Sequence, residues 1–370
     1  VHANYGQKRS IPRNSGKRVE FRRYELFTPD ANALVLEEGV TPAGQSLAQS
    51  KIEAEVKQYG AYVEVSDLLD LTSFDPVLTE STELLGEQLG TVVEWITRDA
   101  MCAGTNVQYA NGKTNRLSLE AGDKLTVTEI RKAVRSLKKA KARMFNNVDG
   151  GAVRKPHFVC ICSPDATYDL QSDALWQDVS KYSDSEQIYS GEIGRLFGVV
   201  FVESTEAKVF SQSVYTTVAA HTAGSAVVTL ADINESAALY LVAGAKIKIG
   251  TTEYTVASCN AAAKTVTLSA TVASAIAAGT IAYSENAGAI DSGSKKGTDI
   301  HATLVFGSDA YGIIDVDGEG CLQTIVKPVG SGGASDPLDQ RATVGAKVAA
   351  FTAKILNNLW IVRVEHGVSL

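Results

Sequence analysis

The longest amphipathic pattern in the chain lies in residues 75–104. Apolar residues recur there at helical spacing, namely Leu78, Leu85, Leu89, Val92, Ile96 and Ala100. This period predicts one face of an α-helix. Asp75 suits the N-cap, Pro76 the first helical position and Gly104 a left-handed stop. At 1.5 Å per residue the helix would be about 45 Å long, so we expect it to serve as a spine on which separate lobes dock.

The residues before this helix show the alternation of half-buried strands. Residues 17–27 alternate apolar and charged positions, and residues 51–65 do the same with a change of phase around Gly60. We therefore expect two paired strands, the second with a β-bulge. The long connection between them holds an apolar run, Leu34, Val35 and Leu36. A loop of that length needs a task of its own, and the sequence predicts a projecting hairpin whose tip contacts another subunit.

The residues after the spine helix alternate between helical and strand patterns. Residues 126–144 predict a helix with Thr126 and Glu129 in capping-box spacing. Residues 157–162 predict a buried strand, a helix follows from Ser163, and residues 197–203 predict a further strand. Strands that alternate with helices indicate an α/β lobe.

Residues 216–299 differ in composition, with many Ala, Thr, Val and Gly residues. Short alternating runs at 226–230, 245–249, 253–257, 265–268 and 280–283 predict a small all-β module, a sandwich or a barrel. A stretch rich in Gly, Ser and Ala, 284–296, ends it. The α/β pattern then resumes at 302–306, 312–316, 346–355 and 359–364. The module is therefore predicted to be an insertion within one lobe.

Composition limits the class of protein. The chain has 370 residues, 45% of them hydrophobic, 21% charged residues and a net charge of −7, which indicates a globular protein that is no general nucleic-acid binder. No apolar run is long enough to span a membrane. Since Val1 is followed by no apolar signal core, we expect a cleaved or omitted leader and find no support for secretion. Five scattered cysteines indicate reduced thiols without a disulfide framework.

Basic residues form two clusters in spite of the negative net charge. The first, in residues 8–23, comprises Lys8, Arg9, Arg13, Lys17, Arg18, Arg22 and Arg23. Gly6, Pro12 and Gly16 predict irregular structure there, so residues 1–16 form a basic arm that is either solvated or laid over an acidic neighbour or nucleic acid. The second is the polar face of the helix at 126–144 and includes Arg131, Lys132, Arg135, Lys138 and Lys139. It is either a solvated face or one that meets the lumen or DNA phosphates.

No catalytic, cofactor or metal site is apparent in the sequence. His157, Cys160 and Cys162 lie on one predicted strand and could supply only part of a metal site, so a core strand is the better interpretation. The histidines are isolated, and the glycine-rich residues 329–333 lack the Lys-Ser/Thr of a phosphate-binding loop. The sequence thus predicts no enzyme, no cofactor and no metal.

Four stretches carry a resemblance to a known family: VKQYGAYVEVSDLL (56–69), SPDATYDLQSD (163–173), IYSGEIGRLFGVVFVEST (188–205) and DPLDQRATVGAKVAAFTAKILNN (336–358). They resemble the major capsid proteins of tailed double-stranded-DNA bacteriophages, with the Hong Kong 97-type fold, in the coliphage N-four-like branch. The resemblance covers residues 17–215 and 300–366.

The resemblance implies an α+β capsid fold and a division of the chain into parts. These are the basic N-terminal arm (1–16), the extended β-hairpin loop (17–66), a peripheral domain with the spine helix (67–124), the first part of an α/β axial domain (125–215), the inserted all-β domain (216–299) and the closing strands (300–370). The insertion departs from the compact family pattern.

The function that the resemblance implies is structural. Copies of the chain would form pentamers and hexamers of an icosahedral shell around non-specifically bound double-stranded DNA, assembled in the host bacterial cytoplasm and found in the virion. Portal, scaffold or decoration proteins are candidate partners, and no membrane is involved. The alternatives are a shell protein of a cellular nanocompartment and, from another class, an oligomeric enzyme with an inserted β-domain.

Overall fold

The computed structural model describes residues 1–11, 16–24, 27, 35, 38–39, 44–146, 148–149, 152–153, 156–180, 192–210, 214–216, 220–230, 241, 243–260, 262–284, 289–290, 297–316, 322–331, 338 and 340–369. The chain folds into two compact units, the first made of Val1–Gly104 with Ser308–Trp360, the second of Thr105–Gly307 with Ile361–Leu370. No helix in the described ranges combines the length and the apolar character that a bilayer crossing requires.

The described residues contain more strand than helix. The helices are α1 Asp67–Thr72, α2 Val77–Cys102, α3 Val127–Lys139, α4 Pro164–Gln171 and α5 Ala174–Ser180. The strands of the first half are β1 Gln7–Ile11, β2 Arg18–Tyr24, β3 Gln49–Glu55, β4 Lys57–Ser66, β5 Val107–Tyr109, β6 Val148–Asp149, β7 Ala152–Val153, β8 Phe158–Cys162, β9 Glu192–Leu196, β10 Val199–Glu203, β11 Val209–Phe210 and β12 Val214–Thr216. Those of the second half are β13 Val227–Thr229, β14 Lys246–Ile249, β15 Thr252–Asn260, β16 Thr265–Leu268, β17 Ile281–Ser284, β18 Ala289–Ile290, β19 Gly297–Thr298, β20 Ile300–Phe306, β21 Tyr311–Val316, β22 Gln323–Lys327, β23 Arg341–Ile355 and β24 Ile361–His366.

The first unit is built on the long strand β23, which pairs with β4, β21 and β22. Helix α2 packs against β23, and Leu85 and Leu89 of the helix and Val344 of the strand are buried. The rest of the predicted apolar stripe is half-buried. The predicted spine helix is thus present, with a length of about 39 Å at 1.5 Å per residue.

The ends of α2 differ from the prediction. Pro76, rather than Asp75, is the N-cap residue, and it provides no side-chain cap. The helix ends at Cys102 with Ala103 in a right-handed conformation, so Gly104 is no left-handed stop. A Cβ on Gly104 would lie 2.8 Å from Oδ1 of Asn358, so glycine permits a close approach there.

The start of the chain is more regular than the sequence suggests. β1 pairs in parallel with β21, so the prediction of irregular structure in residues 1–16 is wrong over Gln7–Ile11. His2 is buried and its Nδ1 lies 2.7 Å from Oε1 of Glu94 on α2. The backbone of β1 finds its hydrogen bonds at the edge of the sheet, beside β21.

The predicted strand at 51–65 is two strands. β3 pairs with β2 in antiparallel register, from Arg18 opposite Glu55 to Tyr24 opposite Gln49, whereas β4 pairs with β23. The predicted pairing is therefore confirmed for β3 only. The change of phase falls where the chain passes from one sheet to another. The register shift in the pairing of β4 with β23 lies in β23, between Val348 and Phe351, and not in β4.

The second unit contains a mixed sheet in the order β5, β24, β20, β8, β10, β9, with β11 beside β20. β8 and β10 are parallel and are joined through α4 and α5, as the α/β pattern predicted. Helix α3 covers this sheet with Val127, Ile130, Val134 and Leu137, which pack in one cluster with residues of β8, β10 and β24. β24 also carries the buried Glu365, whose carboxylate accepts two hydrogen bonds from Arg116, at 2.7 and 2.8 Å.

The five predicted short runs of the module are strands, and they lie in one antiparallel sheet with β12, in the order β12, β17, β14, β15, β16, β13. Val228, Ile247, Val256 and Val266 are among its buried side chains. The flanking strands β11 and β20 pair, with Phe210 opposite Ile300. The chain therefore leaves and rejoins the mixed sheet of the second unit at adjacent positions, as an insertion requires. The finer division of the chain into six parts stays a prediction.

Candidate functional site

The hairpin of β2 and β3 has a buried base. Phe21 and Ala54 are buried in one cluster with Ile11 and Ile314. The ring of Phe21 lies over Gly312, where a Cβ would come within 2.5 Å of its Cζ. Opposite charges on the exposed face of the hairpin pair with each other. Oε2 of Glu20 lies 3.5 Å from Nη2 of Arg22 and 3.5 Å from Nζ of Lys51. Arg22, which belongs to the first predicted basic cluster, is therefore part of a ladder of opposite charges on the hairpin.

Beyond its base, the hairpin exposes apolar side chains. Of the predicted tip, Val35 is described and is 67% exposed, whereas Leu34 and Leu36 lie outside the described residues. Tyr24, Phe27 and Leu47 are also exposed. A buried anchor and exposed apolar positions beyond it are what an assembly element needs, because the apolar area becomes buried only when a partner covers it.

The basic face of α3 is exposed as predicted, and the helix is properly capped. The hydroxyl of Thr126 accepts from the backbone N–H of Glu129. The helix ends at Lys139 instead of Met144, because Lys141 takes a left-handed conformation (φ +52°) and the N–H of Ala142 bonds to the carbonyl of Leu137. This hydrogen bond closes a Schellman-type stop, for which glycine is the usual residue.

Four of the five predicted basic residues line one shallow groove. Arg131, Arg135, Lys138 and Lys139 lie there with Val134 and Phe197, around a volume of about 470 Å³. No carboxylate of the described residues lies within ion-pair distance of these four side chains. Lys132 does not line the groove, and its Nζ pairs with Glu129 Oε1 at 2.7 Å.

Phe197 is a site residue that the sequence did not indicate. It and Gly198 form the two-residue turn between β9 and β10, and both have positive φ, +50° and +79°, as a type I′ turn requires. An L-residue other than Gly, Asn or Asp in that region costs roughly 1–2 kcal/mol. Phe197 is nevertheless 48% exposed, and the guanidinium of Arg131 lies over its ring, with Cζ 5.0 Å from the ring centre.

The sequence IGRLFGVVFVE at 193–203 holds the signal that would have located this turn. Gly198 stands between two apolar runs, but phenylalanine is a strong strand former, and the predicted strand therefore began at Phe197 instead of Val199. The positive φ at Phe197 goes against its residue preference, and such local conflicts occur mostly at functional or strained positions.

The candidate metal ligands are core residues. His157 is buried, and Cys160 and Cys162 pack in the cluster under α3. The described residues contain no group of three or more His, Cys, Asp or Glu side chains that could hold a metal ion. Burial raises the pKa of the Cys160 thiol, which keeps it protonated and unreactive.

Comparison with known families gives one match. The sequence model of the family described as "Phage capsid protein" matches residues 97–300, more than half of the chain. No curated protein matches the chain.

Solved structures with a similar fold include phage capsids. The capsid of Ralstonia phage GP4 is 12% identical, with 100% of this chain and 89% of that chain covered and a TM-score of 0.60. The Cyanophage Pam1 capsid asymmetric unit is 11% identical, with 96% and 86% covered and a TM-score of 0.58. The head structure of Helicobacter pylori bacteriophage KHP40 is 11% identical, with 98% and 87% covered and a TM-score of 0.58. At these identities the likeness concerns the fold.

Proposed function

Because the chain belongs to the family of phage capsid proteins, we propose that its copies close the icosahedral head of a tailed phage around a double-stranded DNA genome. The protein is a structural subunit of the virion shell and not an enzyme. The observation that carries the proposal is that the family match coincides with a capsid fold that aligns along the whole chain. The four motif stretches support the Hong Kong 97-type fold and the coliphage N-four-like branch.

Assembly requires contacts between copies, and the hairpin is the element we assign to them. Pentamers and hexamers repeat one heterologous contact around a ring, in which one surface of a subunit meets a different surface of its neighbour. The anchored base at Phe21 and the exposed Val35 support this role. We assign residues 67–124 to the peripheral domain, 125–215 to the axial domain and assembly to the host bacterial cytoplasm.

The genome is the partner we assign to the basic face of α3. A shell lumen holds DNA whose phosphates repel each other, and unpaired cations on the inner surface lower that repulsion. Exposed cations without a described carboxylate partner support this orientation; they are Arg131, Arg135, Lys138 and Lys139. Such contacts are independent of base sequence and weaken with salt.

Particles made from this chain test the function. We expect expression in bacteria, alone or with the scaffold and portal proteins of the same phage, to give closed shells that sediment as large particles. In virions the shell should protect DNA from nuclease. Shells that enclose an enzyme instead of DNA would support the nanocompartment, and a small soluble oligomer with turnover would support the enzyme. Either of these results would overturn the proposal.

A further inference from the structure

The groove between α3 and the β9–β10 turn combines two features that the lumenal role does not need together. Duplex phosphates require only cations. The groove also presents an aromatic ring, that of Phe197, held in a strained turn and left half-exposed. Lys138 and Lys139 are explained in part by the helix C-terminus, where cations stabilise the macrodipole. Arg131, Arg135 and the exposed ring are not explained in this way.

The strain at Phe197 is not repaid by burial in the core. A phenylalanine that accepted a left-handed backbone for packing would bury its side chain. Phe197 instead remains half-exposed, and among the described residues the guanidinium of Arg131 lies over its ring, with Cζ 5.0 Å from the ring centre. Asn or Gly would form the same turn without strain. A ligand that covers the ring would offset the strain and explain why phenylalanine occupies this position.

The charges around the ring define the chemistry of that ligand. Arg131, Arg135 and Lys138 follow one another along the helix at intervals of about one turn, roughly 5 Å, which makes a row of positive charge beside the ring. An aromatic face next to a row of cations binds single-stranded nucleic acid, because an unpaired base stacks on the ring while its phosphates meet the cations. In an intact duplex the base faces are covered by neighbouring pairs and cannot reach the ring.

We propose that this groove binds a single-stranded segment of nucleic acid, with one unpaired base stacked on Phe197 and the adjoining phosphates on Arg131, Arg135, Lys138 and Lys139. The proposal rests on the lumenal orientation of α3 proposed above and adds a ligand class to it. DNA and RNA share the chemistry required, and the two are separated by the test. An acidic helix of a second copy would pair with the cations, but its carboxylates would not stack on the exposed ring of Phe197.

The experiment measures fluorescence anisotropy of the full-length, unassembled chain with oligothymidine, oligouridine and a DNA duplex of equal length. Phe197→Asn suits the turn, so the variant should unfold at a higher temperature than the original chain. It should nevertheless bind the single strands about 5-fold or more weakly and the duplex equally well. Phe74→Asn is the matched control, because Phe74 is a fully exposed phenylalanine outside the groove; it should change neither affinity.

Each other result overturns a distinct statement. Single-strand affinity that is unchanged in Phe197→Asn, or lost equally for the duplex, would refute the base platform. Loss of shell assembly with unchanged single-strand binding would mean that the ring contacts a second copy, and would also refute it. The proposed genome contact is tested separately by replacing Arg131, Arg135, Lys138 and Lys139 with Gln. If that variant binds duplex with the original affinity and salt dependence, the lumenal role is wrong whatever Phe197 does.

Discussion

Two buried histidines stack in the sheet of the second unit. His301 on β20 lies opposite His366 on β24, with ring centres 6.2 Å apart. Nδ1 of His366 lies 2.8 Å from the carbonyl oxygen of Gly367 and Nε2 lies 2.9 Å from the hydroxyl of Thr303, so the neutral ring donates to the carbonyl and accepts from the hydroxyl. Burial lowers the pKa of His366 to about 4 and also lowers the pKa of His301.

This arrangement predicts a loss of stability in mild acid. Because the folded-state pKa of His366 lies below its ordinary value of about 6.5, the unfolded chain takes up a proton first as the pH falls. The free energy of unfolding should therefore be fully retained above about pH 6.5 and fall by about 2 kcal/mol at pH 5. Urea unfolding of the unassembled subunit measures it. His366→Gln should show a smaller fall, and parallel pH profiles of the two proteins would contradict the prediction.

The residue scale is where the sequence was least informative. The cation row on α3 could be read from helical spacing, because a 3.6-residue period places Arg131, Arg135 and Lys138 on one face. The sequence allowed Lys132 to pair with Glu129, but it did not distinguish this ion pair from other partners. Phe197 could not be found, because its importance comes from a backbone conformation opposed to its own preference.

At the scale of elements, the hairpin separates an anchor from a contact surface. Its base is held by Phe21 and Ala54 in a buried cluster, and its charged face is neutralised within the two strands. Neither of these needs a neighbouring subunit. The exposed apolar side chains beyond the base, Val35 among them, are the part that we propose a neighbouring subunit covers.

We predict that deletion of residues 31–45 leaves a folded subunit that cannot form stable shells. The buried base lies outside the deletion, so the urea midpoint should change little, whereas sedimentation should show no closed particles. A Gly/Ser segment of the same length is the matched control, since it restores reach without the apolar tip; we expect it to fail in assembly as well. Particle yield equal to that of the original chain in either variant would defeat the hypothesis.

Periodicity located most elements and misplaced several boundaries. The spine helix, α3, the buried strand β8 and the module strands all follow from local patterns, because their apolar faces repeat with the period of the element. The break at Val56 and the strand β1 do not follow, because they depend on partners far along the chain: β4 on β23, and β1 on β21. A pattern gives the faces of a strand but not the sheet it joins.

At the scale of the whole molecule, each unit is made of segments distant in sequence. The first unit takes its sheet from both ends of the chain, and the second closes with β24 after an excursion through the first. Sequence patterns group residues that are neighbours in the chain, so they could not predict the boundaries of these two units. The change in composition over residues 216–299 predicted the module as a separate segment. In the structure, β11 before it pairs with β20 after it.

The final prediction is that the module can be removed without loss of the subunit fold. Phe210 and Ile300 are paired across adjacent strands, about 5 Å apart, so a short Gly/Ser turn can replace residues 211–299. The module's buried residues, such as Ile247 and Val256, form a cluster of their own, and the free energy of unfolding should change by no more than about 1 kcal/mol. Deletion of 219–294 is the control: it leaves β12 without β17, its strand partner, and should lower solubility.

We also propose that the module lies on the outer surface, because packaged DNA crowds the lumen. Global unfolding of the first variant would show that the module belongs to the main core, and a particle map with the module facing inward would refute its placement.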